Sequence, residues 1–420
     1  MKQHVPHEQA LSQRDRRDRS GAAGRRTAKE ILLLCTTVSM SPGDKERLCQ
    51  ILNGPVDWGY LLDLAAFHGI IPLVSHNIVA SGLFSQVPQL CLDHLKHGYS
   101  RTLYRNVILA HELADVLSTF NQHGIETISL KGAVLTDVLY GNPGLRPMAD
   151  TDILVHPKDI SLAKALLGEL GYEQKAPRQR REHPFHEEPF CKKTSFILFL
   201  ELHWRLDDNK MVAFPENEIW RRAQPLWLQE VPTLMMSPED NLLFIANHLT
   251  KHDTELLKFL ADIAQLLEKY DGALDWDYIV ESAHSWQIAP AVYFSLRRAR
   301  DLIGASVPLP FLEALRPEVW RWWLLDLLID QESFVSPIKW SRLRGETSTL
   351  ARCLMMKRPQ QMLAFLSRIN HESGKRGAWM RRGLWIVLVF VTALGRRLTR
   401  VGAKLRFSFL PQRLQKENLS

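Results

Sequence analysis

The 420-residue sequence predicts an α+β fold, with a small α/β layer in the middle of the chain and largely α-helical regions on either side. Three observations carry this expectation. Ile125–Leu130 alternates with period two as a half-buried strand does, and Asp150–Val155 and Phe196–Trp204 read as further strands. The stretches between and around them place apolar residues at the spacing of amphipathic helices. Two polar pairs, Asp150/Asp152 and Glu201/His203, each sit at i and i+2 of a predicted strand, so the members of a pair share one face.

Composition sets the outer limits. With 45% hydrophobic and 24% charged residues, the chain has globular values and length for two or three domains. Its five cysteines are scattered and never in a C-x-x-C spacing, which argues against a disulfide framework or a cysteine zinc site and for a reducing, cytoplasmic setting. The first 30 residues are polar and charged, without a signal-peptide core. Net charge is +7, distributed unevenly. Residues 1–30 carry eight Lys/Arg against four acids, residues 375–420 carry eleven against one, and the middle is left at −7. A basic footprint confined to the ends argues against a polynucleotide substrate and for tails that touch anionic surfaces.

In chain order, residues 1–35 read as a basic, disordered tail, because the Arg/Asp-rich stretch lacks an apolar period. Residues 36–103 read as helical: Ser41-Pro42-Gly43-Asp44 starts one helix, and Leu61–Phe67, Pro72–Ala80 and Leu90–Leu103 continue the pattern. The core expected at 104–235 opens with a helix over Tyr104–Gln122, ended by His123-Gly124. It continues through strand Ile125–Leu130, helix Ala133–Tyr140, a Gly-Asn-Pro-Gly loop, strand Asp150–Val155, helix Asp159–Leu170 and strand Phe196–Trp204. Residues 236–374 read as a helical domain that begins at Ser237-Pro238-Glu239-Asp240, with a cap, a first-turn proline and acids against the helix dipole. Within the tail 375–420, Gly383–Gly395 is uncharged and flanked by arginines. Thirteen residues fall short of the roughly 17–25 needed to span a bilayer, leaving a buried helix or a peripheral contact with a membrane's inner face or a partner.

The acids suggest the chemistry. Like charges held close repel, so Asp150 and Asp152 make best sense around a divalent cation. With Glu201 on an adjacent strand, three carboxylates suit two magnesium ions, an arrangement used for phosphoryl or nucleotidyl transfer.

Several elements then recur in a recognisable order: Leu130-Lys131-Gly132-Ala133, Tyr140-Gly141, Arg146-Pro147 ahead of Asp150-Thr151-Asp152-Ile153-Leu154-Val155, and Gly171-Tyr172. Leu200-Glu201-Leu202-His203-Trp204, Ser237-Pro238-Glu239-Asp240, the His248/His252 pair and Asp262-Ile263-Ala264 follow. Between Leu62 and Trp286 the chain resembles a bacterial nucleotidyltransferase family of the DNA polymerase β superfamily. The resemblance implies a polymerase-β-like core, a small mixed sheet with helices. It places Gly132 at the turn where a nucleoside triphosphate approaches backbone, Asp150 and Asp152 as shared metal ligands, and Glu201 as third carboxylate, a ligand or a proton acceptor. Lys131 and Arg146 become candidates to bind phosphate, Arg146 alternatively tying its loop to Asp150 by a salt bridge.

The implied activity is transfer of a nucleoside monophosphate, AMP from ATP being the expected case, to a small-molecule, glycan or protein acceptor. Two departures stand out: Gly132 is followed by Ala133 where the superfamily has Ser or Gly, and 17 residues separate Gly132 from Asp150. His203, His248 and His252 are candidates for the acceptor pocket. The two helical histidines lie at i and i+4, a spacing that also suits simple packing. A noncatalytic nucleotide-binding or scaffold module in a membrane-associated biosynthetic complex remains the alternative.

Overall fold

The computed structural model describes residues 7–175, 186–206, 214–251, 256–336 and 351–356. Its sheet has seven strands: β1 (Thr127–Leu130), β2 (Thr151–Val155), β3 (Glu173–Gln174), β4 (Glu187–Lys193), β5 (Ile197–His203), β6 (Gln224–Leu228) and β7 (Val231–Met235). They run in the order β3-β4-β5-β2-β1-β7-β6. β2 and β5 pair in parallel, as do β1 and β7, while the other neighbours are antiparallel, so the sheet is mixed.

Before the sheet come α1 (His7–Leu34), α2 (Pro42–Leu52), α3 (Trp58–Phe67), α4 (Ile71–Ala80) and α5 (Gln89–Gln122). Between strands lie α6 (Lys131–Leu135), which continues as a π-helical turn over Thr136–Tyr140, then α7 (Ile160–Glu169) and α8 (Glu216–Arg222). After it come α9 (Pro238–Leu249), α10 (Leu256–Lys269), α11 (Trp276–Ser285), α12 (Ala289–Ile303) and α13 (Leu309–Ala314). Caps fix several starts. The amides of Asp44, Tyr60 and Asp240 donate to the side chains of Ser41, Asp57 and Ser237, satisfying donors that a helix leaves open.

Strand alternation gives the sheet two unlike faces. Ile153 and Val155 of β2 and Leu198, Leu200 and Leu202 of β5 point to one side, against Leu109, Leu113, Val116, Leu117 and Phe120 of α5 and Ala163, Leu166 and Leu167 of α7. Each fully buried aliphatic contributes about 1.5–3 kcal/mol, so this face anchors the two strands. The intervening residues, Asp152 on β2 and Glu201 and His203 on β5, must then face the other side. The fold thereby delivers the acidic groups to one surface.

The structure corrects several sequence expectations. Residues 7–34 form α1 rather than a disordered tail: Ala28, Ile31 and Leu32 are fully buried, and Asp57 donates its amide to the Gly24 carbonyl. The helices expected over Leu90–Leu103 and Tyr104–Gln122 are one element, α5. Four strands escaped notice, because β4, β6 and β7 contain Pro189, Pro225 and Pro232 and β3 has two residues. Pro225 is tolerated on β6 since that strand is an edge.

Two compact units divide the chain, residues 1–316 with 355–357, and residues 317–354 with 358–420. The helices α9 to α13 belong to the same unit as the sheet. In the second unit, α14 (Val319–Leu328) and α15 (Gln331–Val335) are described, and Arg321 Nη1 donates to the Leu354 carbonyl at 3.2 Å. The basic tail 375–420 with its apolar segment lies outside the described residues. Among the described residues, no helix is long and apolar enough to cross a membrane.

Candidate active site

Register builds the site. Parallel pairing sets Asp152 of β2 beside Glu201 of β5 and Leu154 beside His203, so three polar side chains from segments far apart in sequence become neighbours. Asp152 is buried, and its Oδ1 accepts from Lys131 Nζ at 2.8 Å and from His203 Nε2 at 3.0 Å. His203 Nε2 is also 3.6 Å from Glu201 Oε2, and its Nδ1 is 3.4 Å from Glu187 Oε2. One donor atom from each of Asp152, Glu201 and His203 lies within 4.8 Å of the other two, close enough to share a metal ion. Asp150 precedes β2 by one residue and is half-buried beside them.

These charges perturb one another. Burial opposes the Lys131 charge, but Asp152, Glu201 and Asp150 outweigh it and raise its pKa. Burial alone would lift Asp152; Lys131 and the hydrogen bond from His203 reverse that and hold its carboxyl well below the ordinary range. Burial would likewise strip the His203 proton, yet hydrogen bonds to Asp152 and Glu201 raise it to about 9. Asp150 goes the other way: burial, Asp152 and Glu201 push it up to about 6 against the pull of Lys131 and Lys258.

The donor set fits a divalent cation. Asp150, Asp152 and Glu201 supply hard oxygen ligands, and the buried Asp152 already demands positive charge, here met by Lys131 and protonated His203.

The loop ahead of Asp150 is pinned by residues the sequence did not single out. Asn106 of α5, fully buried, donates to the Pro143 and Arg146 carbonyls at 2.6 and 2.7 Å and accepts from the Met148 amide at 3.3 Å. Its neighbour Arg105 donates to the carbonyls of Met148 and Ala149. Arg146 does form a salt bridge, but with Asp262 of α10 rather than Asp150: Nε and Nη2 donate to the two carboxylate oxygens at 2.7 and 2.8 Å. Tyr140 adds a hydrogen bond to Asp262 at 2.8 Å. Three separate motif elements, Tyr140-Gly141, Arg146-Pro147 and Asp262-Ile263-Ala264, therefore converge on one buried carboxylate.

The Lys131-Gly132 turn is shaped from within. Lys131 has φ 45°, the left-handed region that costs a non-glycine residue about 1 kcal/mol or more. A Cβ on Gly132 would meet Met148 at 3.1 Å and Arg146 Nη1 at 3.3 Å, so internal packing favours the glycine. His248 is not at the acid cluster's ligand positions; it stacks on Phe244 and meets Phe259 edge-on, as packing would have it. α9 ends at Leu249, and His252 lies outside the described residues. The polar side chains missed by sequence reasoning are Glu187, Asn106 and Lys258. Lys258 is buried on α10, and its charge reaches Asp150. A lysine at i−4 from Asp262 was the available signal.

A family model of uncharacterised nucleotidyltransferases matches residues 54–304. The chain belongs to that family. A solved structure, that of an antigenic nucleotidyltransferase-like protein from Paracoccidioides brasiliensis, is similar at 13% identity over 49% of this chain and 91% of that one, with a TM-score of 0.30. No curated protein matches.

Two expected results follow for this nucleotidyltransferase. Gly132→Ala should lower stability by about 1–3 kcal/mol in urea unfolding, because the new methyl presses on Met148 and Arg146; an unchanged midpoint would show that those side chains yield freely. The second concerns pH. A carboxyl raised on folding contributes a penalty absent below its unfolded pKa and complete above its folded one. With EDTA present, Asp150→Asn should therefore match the parent near pH 4 and become more stable as pH rises to about 6, by on the order of 2 kcal/mol thereafter. His203 contributes oppositely placed behaviour, full below pH 6.5 and lost as pH rises through about 9, and both proteins share it. A pH-independent difference between the two would contradict the burial account of Asp150.

Proposed function

We propose that this nucleotidyltransferase moves a nucleoside monophosphate, AMP from ATP, onto a hydroxyl of a small molecule, glycan or protein, and releases pyrophosphate. The observation that carries the proposal is the pairing of β2 with β5, which sets Asp152 beside Glu201 with Asp150 adjacent. Magnesium, held in this reading as two ions by Asp150, Asp152 and Glu201, supplies Lewis-acid neutralisation of the triphosphate and acidifies the acceptor hydroxyl when bound.

The chain's own groups have distinct tasks. Lys131 holds Asp152 ionised and oriented from the turn where the triphosphate approaches. His203 braces the same carboxylate from β5 and is itself held by Glu187. Glu201 keeps 32% of its side chain exposed against 3% for Asp152, so it is the carboxylate better placed to meet an acceptor and take its proton. In the transfer, the acceptor oxygen bonds to the α-phosphorus and the bond to the bridging oxygen of the β-phosphate breaks. The acceptor proton passes to Glu201, and pyrophosphate leaves.

The test is incubation of the full chain with α-labelled ATP, magnesium and pools of hydroxyl-bearing acceptors, followed by resolution of labelled products. Label on an acceptor with stoichiometric pyrophosphate supports the proposal. Magnesium-dependent ATP binding with no transfer to any class of acceptor would overturn the catalytic part.

A further inference from the structure

The row of acids continues across the sheet. Pairing of β5 with β4 sets Pro189 opposite Glu201, and the amide of Lys175, the residue after β3, donates to the Pro189 carbonyl at 2.9 Å. Directly paired residues share a face, so Asp152, Glu201, Pro189 and Lys175 stand in one line on the side away from α5 and α7. The neighbour of Glu201 on that face of β5 is Phe199, and the Lys175 ammonium lies 4.0 Å from its ring centroid.

The face decides how the lysines of this region are used. Lys164 of α7 and Lys192 of β4, on the core side of the sheet, pair with Glu188 and Glu112. Lys175 is exposed on the acid side, and among the described residues no carboxylate pairs with it. It rests on the Phe199 ring instead, a contact that orders the side chain while leaving its charge open to a ligand. Pro189 and Phe199 are half-buried, so beside Glu201 the sheet offers a shallow apolar floor with a cation on it.

The two sides of Asp152 therefore differ. Leu130 of β1 pairs with Asp152 and leads into the Lys131-Gly132 turn, which gives the β1 side to the triphosphate. An acceptor then reaches Glu201 from the β4 side, over Pro189 and Phe199. We propose that Lys175, Phe199 and Pro189 seat the acceptor, and that the acceptor is a small hydroxyl compound carrying a phosphate or carboxylate group. Lys175 and Glu201 flank β4, and strands lie about 4.8 Å apart, so the anionic group and the reacting hydroxyl are separated by roughly 10 Å or less. A phosphorylated monosaccharide covers that span. The assignment rests on the nucleotide-transfer reading above and narrows its acceptor.

The test follows label from α-labelled ATP, with the full chain, magnesium and a cell extract separated into macromolecules and, by anion exchange, anionic and uncharged small molecules. Label is expected in the anionic fraction. Phosphatase pretreatment of that fraction tells a phosphate from a carboxylate, and either supports the assignment. Loss of a charge-assisted contact predicts that Lys175→Met raises the amount of anionic fraction needed for half-maximal transfer about tenfold, while the maximal rate and the KM for ATP stay within about twofold. Lys175→Arg should recover most of the loss, and Lys175→Gln serves the same comparison if the methionine variant does not fold. Label in the uncharged fraction alone or on macromolecules alone overturns the assignment, as does a half-maximal amount unmoved in a folded neutral variant. If the parent protein labels no fraction at all, the nucleotide-transfer reading falls and takes this assignment with it.

Discussion

Asp152→Asn is expected to abolish magnesium-dependent ATP binding and to lower nucleotide transfer by about a thousandfold or more. Asn keeps the side-chain volume but removes the charge around which the site is organised. Lys131 and His203 both donate to Asp152 Oδ1, at 2.8 and 3.0 Å, and neither cation has the same reason to stay in place once the carboxylate is neutral. The His203 proton should be lost at lower pH in the variant, because the hydrogen bond to Asp152 is what chiefly holds it against burial. A titration of His203 by NMR alongside the binding measurement separates a lost charge from a lost fold. ATP binding and transfer that continue at the parent level would remove Asp152 from the chemistry altogether.

The largest effect on stability is expected at Asp262. Its carboxylate is fully buried and carries a bidentate contact from Arg146, which is 4% exposed, together with the Tyr140 hydroxyl. Removing one partner of a buried ion pair strands the other charge, so Asp262→Ala should cost about 3–5 kcal/mol in equilibrium urea unfolding. The double change Asp262→Ala with Arg146→Met should cost clearly less than the two single changes added together, since the stranded charge is removed along with its partner. Additive losses, or an Asp262→Ala penalty under about 1 kcal/mol, would mean that the pair is solvated and does not fix the loop.

Much of the centre was legible from sequence because it depends on local periodicity. The strand signals in Ile125–Leu130, Asp150–Val155 and Phe196–Trp204 located β1, β2 and β5 to within about two residues. The same alternation put Asp150 with Asp152 and Glu201 with His203 on shared faces. What periodicity could not supply was pairing across distance. Arg146 and Asp262 are 116 residues apart, and no local pattern in either segment announces the other. Local reading therefore offers Arg146 only a phosphate or the nearby Asp150. Likewise, sequence reads Gly132 through the phosphate turn, whereas the side chains that crowd it, Met148 and Arg146, reach it only after the loop has folded back.

At the N-terminus, composition masked the pattern. Arg and Asp fill positions 14–19, yet Ala28, Ile31 and Leu32 carry the i, i+3, i+4 spacing of a buried helical face a few turns later. The strands β4, β6 and β7 were hidden for the opposite reason: prolines and charges suggested loops, while neighbouring strands supplied the pairing that their own sequences advertise poorly.

One oxygen of Asp152 receives both an ammonium and an imidazolium, so the acid cluster comes with its own counter-ions. On the proposed reading, a metal ion arrives at charge that is already partly balanced rather than bare. Such a site can be assembled during folding without an ion in attendance, its buried carboxylate already matched by its own neighbours.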